Sequence, residues 1–129
     1  MPDCSQSTIL VVDDSEAGRY AVARGLRSEG FPTLEAASGR EALDRAADVA
    51  AIVLDVHLPD ILGLDVCRTL RERPATARLP IVHVSAVYVT GHAQAAAERA
   101  GADAYLLAPV NTRELAQTLD RLIARGAAS

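Results

Sequence analysis

Asp13, Asp14 and Asp55 each close or follow a short aliphatic run, "ILVV" for the first two and "AIVL" for the third. Any one of them alone could serve as a helix cap or a solvated loop residue. Together, at the ends of strands that a parallel sheet would make neighbours, they form a cluster of mutually repelling carboxylates. Such a cluster persists most easily when a cation neutralises it. Hard oxygen ligands with open positions suit Mg²⁺, which keeps several waters. Ser85 and Ala86 follow a fourth run, "IVHV". A hydroxyl there can donate to a phosphoryl oxygen, and a methyl group beside it leaves that oxygen room. A fifth run, "AYLL", brings Tyr105 and then Ala108-Pro109. The chemistry these types allow is attack by the Asp55 carboxylate on an activated phosphoryl group, with Mg²⁺ screening the charge and an acyl phosphate as product.

The elements that must position these residues follow from the apolar pattern. Strands are expected at Thr8–Val12, Pro32–Ala36, Ala51–Leu54, Pro80–Ser85 and Ala104–Leu107. Four of them are nearly continuous in apolar residues, as strands covered on both faces are. "PTLEA" alternates more, as an edge strand does. Between them lie helix signals. Ser38-Gly-Arg-Glu41 is a capping box, and Asn111-Thr-Arg-Glu114 is a variant of it. Leu115, Leu119, Leu122 and Ile123 then share one helical face. Ala93–Ala100 is helical by propensity, with thin side chains. Gly30, Gly63 and Gly101 suit turns or helix ends. The alternation is (βα)₅, which implies an α/β doubly wound parallel sheet, order 2-1-3-4-5, flavodoxin-like. Ligands in such sheets bind at the carboxyl ends of strands 1 and 3. The domain is expected over residues 8–125, with residues 1–7 an N-terminal tail and 126–129 a C-terminal tail or linker start.

Composition removes several function classes. The 129 residues suit one domain and carry a net charge of −4. There is no basic cluster for nucleic acid and no aromatic platform for bases, with one Phe, three Tyr and no Trp. Cys4 and Cys67 show no metal-ligand spacing and are expected as reduced thiols. No signal peptide is visible, and no apolar run approaches the roughly 18 residues of a membrane helix. A cytoplasmic domain is therefore expected, with no nucleic-acid and no membrane partner. All 13 basic residues are arginine.

The motifs "ILVVDDS", "IVLDVHLPDILGLDV", "IVHVSA" and "GADAYLLAPV", in this order and spacing, resemble the receiver domains of two-component response regulators and hybrid histidine kinases. The resemblance covers residues 8–124. It implies that Asp55 is the phosphoacceptor, charged by a histidine kinase or phosphotransfer protein. Asp14 would ligate Mg²⁺ directly and Asp13 through water, and the backbone carbonyl of His57 would complete the protein's share of the shell. Ser85 would be the hydroxyl switch and Tyr105 the aromatic whose rotamer reports its movement. A homodimer through the fourth helix, fifth strand and fifth helix would be open to such a domain. The "SAVYVTGHAQAAAERAGADAYLLAPV" stretch resembles receivers attached to sensor histidine kinases more than those attached to DNA-binding domains.

The departure is Ala108, where the family has a lysine that pairs with the phosphoryl oxygens. Losing a buried ion-pair partner costs on the order of 3–5 kcal/mol, and no other lysine exists to replace it. Pro109 remains, and the resemblance implies a cis Ala108–Pro109 bond. Two readings follow: a phosphoacceptor with weakened chemistry, or a phosphorylation-independent interaction module. An aspartyl phosphatase would need a second aspartate at His57, and a dinucleotide enzyme would need glycines that "DDSEAGRY" lacks. Enzymatic activity beyond self-phosphorylation and slow loss of the phosphoryl group is not expected. His83 is expected as a core histidine with its ring satisfied, Cys67 as a small core residue, and Tyr20 and Tyr88 as surface or packing aromatics.

Overall fold

The computed structural model describes residues 8–55, 58, 60–61, 63–85, 101–107 and 110–128, without the side chains of Ser85 and 126–128. Its strands are β1 (Ile9–Val12), β2 (Thr33–Ala36), β3 (Ala51–Asp55), β4 (Ile81–Ser85) and β5 (Ala104–Leu107). Its helices are α1 (Glu16–Ser28), α2 (Gly39–Arg45, prolonged by a 3₁₀ turn over Ala46–Asp48), α3 (Gly63–Glu72) and α4 (Thr112–Ala128). The expected helix at Ala93–Ala100 lies outside the described residues, and α4 runs past residue 125.

All five strands pair in parallel in the order β2-β1-β3-β4-β5, as expected. Hydrophobic alternation splits the core into two layers. On one face Leu10, Val12, Ile52, Leu54 and Ile81 pack with Val66, Cys67 and Leu70 of α3. On the other, Ile9, Val11, Val53 and Val82 pack with Leu26 of α1 and Leu115, Leu119 and Leu122 of α4. β1, and β3 as far as Leu54, are apolar because both faces are covered. β2 is an edge strand with an exposed Leu34, which explains its alternation.

The helix boundaries follow local chemistry. Ser15 caps α1 by accepting from Gly18 N at 3.2 Å. Ser38 accepts from Glu41 N at 3.2 Å, while Glu41 reaches back to Ala37 N at 3.0 Å. Asn111 accepts from Glu114 N at 3.1 Å. Gly30 and Gly101, at φ 97° and 108°, occupy left-handed backbone that disfavours a side chain. Gly25 lets α1 approach α4, since a Cβ there would lie 2.8 Å from Thr112 Cβ.

At the amino ends of β4 and β5, Arg71 holds the chain together. It donates to the carbonyls of Gly101 (2.9 Å), Ala77 (3.1 Å) and Leu79 (2.6 Å) and to Asp103 Oδ2 (2.8 Å). Asp103 also accepts from Ile81 N at 2.8 Å. This hub sits at the end of the sheet away from the acidic cluster and is structural.

Candidate functional site

The carboxyl ends of β1 and β3 lie side by side because Val12 pairs with Leu54. Asp13 and Asp14 therefore emerge next to Asp55, and one carboxylate oxygen from each lies within 4.8 Å of the other two. Asp13 and Asp55 are half-buried and Asp14 is exposed. The three line a cavity of about 310 Å³ with Val11, Val12, Ser15, Gly18, Val22, Val53 and Val84. None of these lining residues is basic. Two carboxylates at such a separation repel by about 3 kcal/mol at an effective dielectric near 20. The amino end of α1 offsets part of this. A hard divalent cation would offset more, and three oxygen donors beside open space for water fit Mg²⁺.

The local sequence fixes the first two acids. Asp13 Oδ1 accepts from Ser15 N at 2.9 Å, closing an Asx turn. Asp13 N donates to Ala36 O at 3.1 Å, which ties the turn to β2. Gly18 lets the first turn of α1 settle on the carboxylate, for a Cβ there would stand 2.9 Å from Asp13 Oδ2. Arg19 Nη1 donates to Asp13 O at 2.8 Å, and its Nε donates to Glu35 Oε1 at 3.0 Å. Beyond Asp55, Asp60 binds the amino end of α2. Its Oδ1 accepts from Gly39 N (2.8 Å) and Ile61 N (2.9 Å), and its Oδ2 from Arg40 N (3.0 Å). These bonds, from Gly39 N first, hold the Asp60 carboxyl below its ordinary pKa. Sequence reasoning did not single out Gly18, Arg19, Asp60 or Glu35. Their roles depend on contacts between separate elements, and no local pattern announces them.

The remaining expected positions are placed in part. Ser85 ends β4, one residue past Val84, which pairs with Asp55, so its backbone borders the cluster. Tyr105 is half-buried on β5 and pairs with His83. His57, Ala86, Ala108 and Pro109 lie outside the described residues, as do Tyr88 and His92. The carbonyl ligand, the methyl at the lysine position and the cis peptide bond are therefore not described.

His83 corrects one expectation. It is a core residue, 0 % exposed, yet neither ring nitrogen has a hydrogen-bond partner among the described residues. Aliphatic side chains share this face of the sheet, and the Tyr105 ring stands 6.3 Å away at 38°. Burial lowers the imidazole pKa to about 4; the Leu54 backbone lies close enough to oppose this weakly without reaching bonding geometry. Cys67 is buried as expected, and burial pushes its thiol up to about 11.

The response regulator receiver domain family matches residues 9–120. The chain is 38 % identical to the sensory/regulatory protein RpfC of Xanthomonas campestris over 115 residues, 86 % of this chain and 16 % of that protein. It is 40 % identical to the response regulator MprA of Mycolicibacterium vanbaalenii over 119 residues, 91 % of this chain and 50 % of that protein. It thus spans half or less of these curated relatives. A putative response regulator from Chloroflexus aurantiacus superposes with a TM-score of 0.87 at 34 % identity, covering 94 % of this chain and 100 % of that one. The receiver domain of a sensor histidine kinase from Pseudomonas aeruginosa PAO1, with a magnesium ion coordinated in its active site cleft, superposes at 0.83 and 29 % identity, covering 93 % and 99 %. With the β2-β1-β3-β4-β5 sheet and the acids at its carboxyl edge, these matches place the chain in the response regulator receiver domain family of two-component signal transduction.

Proposed function

We propose that this receiver accepts a phosphoryl group on Asp55 from a phosphohistidine of a histidine kinase or phosphotransfer protein. The observation that carries this reading is the convergence of Asp13, Asp14 and Asp55 on one cavity with no basic residue among its described lining. An Asp55 carboxylate oxygen attacks phosphorus, the P–N bond to the donor imidazole breaks, and its electron pair leaves with the imidazole nitrogen. Asp13, Asp14, Asp55 and the His57 carbonyl would hold Mg²⁺, which when bound supplies charge screening for the incoming phosphoryl oxygens. Ser85 and the small Ala86 would receive those oxygens, and Tyr105 would report the movement of Ser85. The relatives named above support a kinase or phosphotransfer partner and do not favour one parent architecture, since one is a sensory/regulatory protein and another a response regulator. Beyond accepting and slowly losing the phosphoryl group, no catalysis is proposed. Among the described residues no helix is long and apolar enough to cross a membrane.

Ala108 supports a second reading. The chain holds no lysine, so the phosphoryl group would lack its usual cation. On this reading the fold docks or dimerises in one state, and the exposed Leu107 on edge strand β5 supports an interface there. Treatment with an acyl phosphate and Mg²⁺, read on a phosphate-affinity gel, separates the two. The first reading expects a shifted band for the native chain that Asp55→Asn abolishes. An unshifted native chain, with partner binding unchanged in Asp55→Asn, would establish the second.

A further inference from the structure

Asp13 and Asp14 follow β1 and Asp55 closes β3, so the β1–β3 pairing sets their coarse separation. The Asp13 turn and Asp60, beyond Asp55, are each braced on one short segment, Glu35–Arg40, which contributes no side chain to the cavity. From the β1–α1 side, Arg19 bonds Asp13 O and Glu35, and Asp13 N bonds Ala36 O. From the β3–α3 side, Asp60 bonds Gly39 N and Arg40 N. The fit at this second contact is close: a Cβ on Gly39 would stand 3.0 Å from Ile61 Cβ and 3.4 Å from Asp60 Oδ1. The Arg19 side chain is only 17 % exposed, so its two bonds are sheltered from water. These are bonds between elements far apart in sequence. All but the Arg19–Asp13 bond reach the same β2–α2 segment, at the Glu35 side chain or at its backbone.

We infer that Arg19 and Asp60 are positioning residues that refine, through Glu35–Arg40, the spacing between the Asp13–Asp14 turn and Asp55 that the β1–β3 pairing sets, and so tune the cluster for Mg²⁺ over larger cations. The inference rests on the metal reading above. Its physical basis is the difference between the two hard cations. Mg²⁺ demands near-ideal octahedral geometry at about 2.0–2.1 Å, whereas Ca²⁺ tolerates six to eight ligands at about 2.3–2.6 Å in flexible geometry. Loosening the spacing therefore penalises Mg²⁺ more than Ca²⁺. Simple loss of fold stability would not distinguish the two ions.

The test is titration calorimetry of the purified chain with Mg²⁺ and, separately, with Ca²⁺. Arg19→Met and Asp60→Ala are each expected to weaken Mg²⁺ binding about tenfold, the lower end of what outer partners of metal ligands contribute. Ca²⁺ binding should weaken far less, so the Mg²⁺/Ca²⁺ ratio falls. Asp60→Asn removes the charge but keeps one acceptor, and it is expected to recover most of the ratio. Circular dichroism and urea midpoints without metal show whether each variant is folded. Should one fail to fold, the other and Glu35→Gln carry the test. Equal weakening of both ions, or no weakening in the folded variants, would overturn the positioning role. A native chain that binds no Mg²⁺ would overturn the metal reading itself, and the inference with it.

Discussion

His83 gives a prediction whose size can be worked from the structure. The imidazole is fully buried and its pKa is lowered from 6.5 to about 4, with desolvation the first cause. A base whose folded pKa lies below its unfolded value takes up its proton preferentially on unfolding. Its contribution to stability is complete above pH 6.5 and is lost as pH falls from 6.5 through 4. At 1.36 kcal/mol per pH unit the full loss is about 3 kcal/mol, of which about 2 kcal/mol falls between pH 7 and pH 5. Carboxylates also destabilise the fold in acid, so the comparison must be with a chain that differs only here. His83→Met keeps a side chain of similar bulk without a titrating group. Urea unfolding of both chains at pH 7 and pH 5, without metal, is the assay. The native chain should lose about 2 kcal/mol more than His83→Met over that interval. At pH 7 the variant should be at least as stable, since a buried ring without a partner among the described residues has been removed. Equal losses would refute the reasoning and would mean that a partner outside the described residues satisfies the ring.

Four further outcomes are expected. Ala108→Lys should raise the yield of phosphorylated Asp55 over the native chain on a phosphate-affinity gel, because it restores a cation worth on the order of 3–5 kcal/mol in a buried pair; no gain would mean the native cavity already compensates. Gly25→Ala should destabilise the fold by about 1–3 kcal/mol in urea, because the new methyl overlaps Thr112 and must part α1 from α4. Arg71→Ala should cost about 2–4 kcal/mol through loss of the Gly101, Ala77, Leu79 and Asp103 bonds, and Arg71→Lys should recover little because an ammonium lacks the planar fork. In a Cys4→Ser background, Cys67 should resist a disulfide-exchange reagent at pH 8 and react only as the chain unfolds, since burial pushes its thiol up to about 11.

The sheet was legible in the sequence because burial on both faces writes itself as unbroken aliphatic runs. "ILVV" and "AIVL" became β1 and β3, and the alternating "PTLEA" became the β2 edge. The acidic cluster was legible for a related reason. Residues just past parallel strands inherit the strands' register, so Asp13, Asp14 and Asp55 were bound to meet once Val12 paired with Leu54. The braces were not legible. Arg19 looks like any solvated helix arginine, and Asp60 like any loop aspartate. Their partners, Glu35 and the Gly39 and Arg40 amides, lie 16 and 20 or more residues away. The unpartnered His83 ring was missed because a histidine in an apolar run predicts burial but not what surrounds each nitrogen.

Ala108 stands where the family has a lysine. The lysine would bring one positive charge to the phosphoryl oxygens directly. The described residues devote their charges differently: Arg19 to a carbonyl and a carboxylate behind the acids, Asp60 to amides at the start of α2. Arg19 is not available to meet a phosphoryl group without releasing the turn it holds, and the Asp60 carboxylate would repel one. A cation near the Asp13 turn thus does not substitute for the absent one, and moving Arg19 forward would loosen the very acids that would hold Mg²⁺. The charge balance for a phosphorylated Asp55 then falls to the metal and to hydroxyl and amide donors. If the domain is a phosphoacceptor, its phosphorylation should depend more steeply on Mg²⁺ concentration than that of the Ala108→Lys chain. Measured yields that rise in parallel with Mg²⁺ in the two chains would break this argument.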